Sequence, residues 1–256
     1  KGGSDWRPPV KLDHFLITKT ERDAAGDFIV DAEMLAAIGT DADGKVRSIP
    51  IVLHSDAIDE VFPTSYALYS GRRCACRGDG EKAIQREIKD KAFTGREKTI
   101  KCPCAYLNAE GNGPRCKPNG KLYCSIAAHG AAVAGAVHLW RTTSIITIQQ
   151  KGGSLEQIRS ICGVLRNVPL WLRVKPVTIE RADGAVTVHC CHAELRAADV
   201  ADVQRRALEA AKIRRELGFR DEDYRKIVAL PAHGESAEEE AEIAGEFYAE
   251  DATNQG

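Results

Sequence analysis

The sequence contains no run of about 18 apolar residues, so nothing in it reads as a helical membrane span. It does not open with a charged segment followed by an apolar one, so no signal peptide is expected and the chain reads as cytosolic. A phosphate-cradling glycine loop, a nucleophile elbow and an HExxH helix are likewise missing. No active site and no small-molecule substrate are therefore expected. What is present is 256 residues with 43% apolar content, enough to bury a core without disulfides.

Nine cysteines are many for a reducing compartment, and an odd number cannot pair completely within one chain. Metal ligation is the better reading. Charge is unevenly spread behind a net of −1. Residues 70–121 hold 13 Lys/Arg against 6 Asp/Glu, a surplus of seven positive charges, whereas residues 232–256 hold 8 Asp/Glu and no Lys/Arg. A basic, cysteine-rich middle is thus followed by an acidic end that reads as a solvated tail.

Strand-like runs occur at residues 14–18 (HFLIT), 48–54 (SIPIVLH), 64–69 (TSYALY), 121–127 (KLYCSIA), 136–142 (AVHLWRT) and 144–149 (SIITIQ). DAEMLAAI (31–38) predicts a short helix stopped by Gly39. Ile84 and Ile88 within 81–93 suggest a short amphipathic helix, and KPNG (117–120) suggests a turn between two strands. Ser154 with Gln157 forms a capping box ahead of Ile158, Ile161, Cys162 and Leu165, which predicts a helix over about 155–166 with Cys162 in the core. Residues 169–180 and 185–195 flank Asp183-Gly184 as a hairpin, and residues 199–217 form a charged helix stopped by Gly218. A second short helix is expected over 221–228.

The fold class expected is α+β: mainly antiparallel β, a zinc-stapled hairpin module, a few helices and a helical C-terminal segment. The organisation expected is a flexible arm (1–12), a core (13–198) with a zinc-binding insert at about 70–124, a helical segment (199–230) and an acidic tail (231–256).

Cys74, Cys76, Cys102, Cys104 and Cys116 are five candidates for one four-thiolate site. Zinc suits it, because it accepts tetrahedral sulfur ligands and keeps one oxidation state. The ligands chosen are Cys76, Cys102, Cys104 and Cys116, with Cys74 as the substitute for Cys76. Neighbouring Lys and Arg are expected to favour the thiolate forms. Four thiolates leave no open position for water, so the zinc is structural, not a Lewis acid. A redox pair would need a thioredoxin-like βαβ context that neither CxC has. In His189-Cys190-Cys191-His192, strand alternation sends His189 and Cys191 to one face and Cys190 and His192 to the other, so one ion cannot use all four. His54-Ser55-Asp56 reads as structural. Arg72, Arg73, Arg77 and Arg115 are candidates for contact with nucleic acid or a partner, against the plain alternative of solvated surface charge.

The order of these features is familiar. TSYALYSGRRCAC (64–76), Gly78-Asp79-Gly80 with Ala83, the Cys102/Cys104/Cys116 group with Lys117 and Lys121-Leu122, LWRTTS (139–144), a helix and PLWLRVKP (169–176) together resemble the phage recombination directionality factor-like family. The resemblance runs from about His14 to Leu195. It implies a protein of a bacterial host's cytoplasm that binds a large serine integrase and switches it from integration to excision, attL × attR, with DNA present in the integrase complex. The alternative carried by the residues themselves is a zinc-containing DNA-binding protein of phage replication or transcription.

Overall fold

The computed structural model describes residues 12–25, 27–70, 73–90, 92–106, 115–128, 136–181 and 184–218. The expected arm except Leu12, the helix over 221–228, the acidic tail, Arg72 and turn residues 182–183 lie outside the described residues. In chain order the elements are β1 Thr18–Arg22, β2 Phe28–Val30, α1 Ala32–Ile38, β3 Ser48–Val52, α2 Ile58–Val61, β4 Thr64–Ser70, β5 Arg73–Gly78 and β6 Lys82–Lys89. There follow β7 Ala92–Lys101, β8 Lys117–Ile126, β9 His138–Thr142, α3 Ile145–Cys162, β10 Leu170–Arg181, β11 Gly184–Leu195 and α4 Val200–Glu216. The described part is α+β, and its strands pair antiparallel between β1 and β2 and from β11 across the sheet to β7.

Two compact units divide the chain. One contains residues 12–63 and 121–216, in which β11, β10, β3 and the second part of β8 lie side by side with β9 beyond. Leu122, Cys124 and Ile126 alternate along β8 and all enter the core with Ile49 and Ile51 of β3 and Leu170 and Leu172 of β10. Helix α3 covers them with Leu155, Ile158 and Cys162. A further tie comes from Asp56, whose Oδ1 accepts the backbone N–H groups of Leu165 (2.7 Å) and Arg166 (2.8 Å) just after α3.

Helix α3 differs from its sequence expectation. It begins at Ile145, not near residue 155, because Ser144 is the cap and its hydroxyl accepts the Thr147 N–H at 3.4 Å. Thr147, Lys151, Leu155, Ile158 and Cys162 are its buried residues, spaced four, four, three and four apart along one face. The hydroxyl of Ser154 donates to the Lys151 carbonyl inside the helix, so it caps nothing. Gly163, with φ of +75°, ends α3 in the left-handed conformation.

The second unit contains residues 64–120 and orders the first part of β8 beside β4, β5, β6 and β7. Two expectations fail here. Within the helix expected over 81–93, residues 82–89 form β6 and residues 92–93 begin β7. KPNG is not a turn but the start of β8, pairing Lys117–Gly120 with Thr64–Ala67. Pro118, which has no N–H to donate, lies in this stretch opposite Tyr66 of β4.

Candidate metal centre

Strand β5 alternates Cys74 and Cys76 with outward neighbours, and Cys76 enters a small cluster with Leu68 of β4 and Ala83 of β6. Strand β6 approaches closely at this point: a Cβ on Gly78 would stand 2.2 Å from the Lys82 carbonyl oxygen, so only glycine fits. Cys102 follows the last residue of β7, its N–H donating to the Glu81 carbonyl at 2.8 Å. Cys104 comes two residues later, past a cis Cys102–Pro103 bond. Cys116 stands immediately before β8 and its N–H donates to the Tyr106 carbonyl at 2.8 Å.

Cys76, Cys102, Cys104 and Cys116 line one cavity of about 20 Å³, with Tyr66 and Tyr106 among the other walls. Cys74 does not line it; its thiol donates to the Cys76 carbonyl at 3.6 Å. The donor chemistry and the size of the cavity suit one ion of the zinc type, whose sulfur ligands stand about 2.3 Å away. Yet among the described residues no three Cys, His, Asp or Glu side chains stand close enough together to hold a metal. The structure therefore brings the four thiols to one place without forming a coordination sphere.

Burial, then the neighbouring thiols, push Cys76 up to about 11 and Cys116 up to about 12, and Cys102 rises for the same reasons. The expected thiolate-favouring influence of Lys and Arg is thus outweighed, because burial disfavours the charged form and one thiolate repels the next. Any cation binding there must displace protons from these thiols.

The candidate contact arginines do not form one exposed patch. Arg73 and Arg77 lie half-buried on β5, where Arg77 donates to the Tyr69 hydroxyl at 3.5 Å, and Arg115 is half-buried beside Cys116. At His54-Ser55-Asp56, the Asp56 carboxylate serves the two backbone amides after α3, and the buried His54 Nδ1 has no hydrogen-bond partner among the described residues. His192 meets Glu194 at 3.2 Å, while Cys190 and Cys191 are both buried.

One cluster carries no sequence signal. Lys151, in the middle of α3, is fully buried; its Nζ donates to the Cys191 sulfur at 3.3 Å and stands 3.8 Å from the Trp140 ring centre. Burial lowers its pKa, and burial raises that of Cys191. Desolvation thus disfavours the charged form of each, while each charge favours the other. A lysine before Gly152-Gly153 gives no hint of this, since its partners come from β9 and β11.

A family model described as Gp3-like, recombination directionality factor-like, matches residues 1–200 of this chain. No curated protein and no solved structure matches it.

Proposed function

The chain belongs to the recombination directionality factor-like family, and on that premise we propose that it binds a large serine integrase and switches it from integration to excision, attL × attR. The observation that carries this reading is the family match over 200 of the 256 residues. Such a switch needs no chemistry of its own. A factor that binds one arrangement of a mobile integrase better than another shifts the population by the difference in affinity, typically about 1–3 kcal/mol. The protein acts in this reading as a cytoplasmic accessory factor without turnover.

The reading includes a structural zinc held by Cys76, Cys102, Cys104 and Cys116, supported by their shared cavity. Bound there, zinc would tie the end of β7 and the start of β8 directly to β5, segments that the sheet otherwise joins through β6 and β4. Cys74 stays outside the set, being turned to its own strand's carbonyl.

The test is an excision assay with the purified protein, the integrase of the same phage or prophage, and DNA carrying attL and attR. Recombination that appears only when the protein is added is the expected result. An integrase active on attP and attB but inert at attL and attR with the protein present would sink the proposal.

A further inference from the structure

The exposed cations of the cysteine-rich unit gather on one element. Strand β5 pairs with β6 only at Ala83, Ile84 and Gln85, whereas β6 and β7 stay paired out to Lys89 and Ala92. Beyond Gln85, then, the two strands continue as a ribbon with no third strand among the described residues. Residues 82–101 carry seven Lys/Arg and three Asp/Glu, a surplus of four positive charges in twenty residues.

The register decides where those charges point. Directly paired residues share a face, so Lys82 with Lys101, Ile84 with Thr99, and Arg86 with Glu97 form one face, away from the cavity lined by Ala83, Gln85 and Ile100. On the outer half the charges are matched: Arg86 meets Glu97 at 3.2 Å, and Glu87 faces Lys89 at 3.5 Å and Arg96 at 4.0 Å. At the base they are not. Lys82 and Lys101 stand directly opposite, an arrangement of like charges that destabilises a sheet. In the turn, Asp79 accepts the backbone N–H groups of Glu81 and Lys82, each at 2.8 Å, and the Lys82 charge also helps hold its carboxyl below the ordinary range. Between this cation pair and Arg86 lies Ile84, half exposed, and Arg86 stacks 5.3 Å from the exposed Phe93 ring.

We propose that the β6–β7 ribbon binds double-stranded DNA, with Lys82 and Lys101 on phosphates. A two-stranded ribbon fits the major groove, which is about 12 Å wide, and opposed lysines that repel each other in the free protein are relieved by a polyanion laid across them. Lys98 pairs with Gln85 on the other face of the ribbon, where the proposal sets it toward the second groove wall. The contact is with the backbone and reads no base sequence. It stands independently of the integrase reading, because it requires only this chain and a duplex.

The experiment measures anisotropy of a labelled duplex of about 30 base pairs without attachment sites, titrated with the full chain alone at about 50 and about 200 mM salt. Binding that weakens with salt is expected, and Lys82→Ala/Lys101→Ala should weaken it about tenfold at the lower salt and reduce the log–log salt slope by about 2. Both residues are exposed and removing them relieves repulsion, so the variant folds; Lys212→Ala on α4 is the control that leaves binding unchanged. A second readout on the unaltered chain is lysine acetylation, in which DNA should shield Lys82, Lys98 and Lys101 but not Lys212. No binding at the lower salt, equal binding by the double variant, or unshielded ribbon lysines would overturn the proposal. So would a double variant that keeps DNA affinity but loses a protein partner, which would make the ribbon a protein-docking element.

Discussion

At the scale of single residues, Lys151 and Asp56 do the least expected work. The amine of Lys151 is buried against a thiol and an indole, so protonating it inside the fold is opposed by desolvation. Its folded pKa lies below the unfolded value of about 10.4; in that window the unfolded chain holds more protons, and stability falls as pH falls. Lys151→Met keeps the stem and removes the titration. In urea unfolding the variant should gain on the parent as pH is lowered below about 10.4; a gap that stays constant would show that the fold does not lower the pKa of this amine. Asp56→Ala leaves the Leu165 and Arg166 amides without their acceptor and should cost about 3 kcal/mol, read by the same method. Loss below about 0.5 kcal/mol would mean that water replaces the carboxylate there.

At the scale of elements, α3 carries two adjacent glycines in its interior with no atom near the place a Cβ would take. Gly152→Ala and Gly153→Ala should each raise stability by about 0.5–1 kcal/mol, seen as a higher melting temperature, through reduced freedom of the unfolded chain. Lower melting in both would place an unseen constraint on that face. The same glycines, with Ile145, Ile146 and Ile148 before them, explain why the first half of α3 reads as a strand: β-branched residues favour β and glycine erases the helical pattern. Where capping and period agree the sequence is legible, as in α1 after Asp31, α4 before Gly218, and the β10–β11 hairpin. Strand β6 was not legible, because Ile84 and Ile88 four apart satisfy a period of 2 as well as 3.6. Its bulge between Arg86 and Ile88 leaves no mark in the sequence.

At the scale of the whole molecule, the four cysteines chosen from the sequence line one cavity, Cys102, Cys104 and Cys116 from beside strand ends and Cys76 from within β5. The Lys151 cluster and the ribbon depend on pairings between distant segments, which no local pattern carries. Zinc content measured on the purified chain should be one per chain, and Cys76→Ser, Cys102→Ser, Cys104→Ser and Cys116→Ser should each lower it and lower the melting temperature. Cys74→Ser should leave zinc content unchanged, since its thiol is turned elsewhere. Full zinc in all four ligand variants would remove the metal reading. The excision and DNA experiments then ask separately whether the molecule commands an integrase and whether it holds DNA.

Pro63 and Lys121, the residues that bracket the cysteine-rich unit, are joined by a hydrogen bond of 3.1 Å from the Lys121 N–H to the Pro63 carbonyl. Entry and exit of a 57-residue excursion therefore meet at a doorway one peptide wide. A segment whose two ends already touch can be lengthened, shortened or exchanged between genomes with little change in the closure entropy of the surrounding fold.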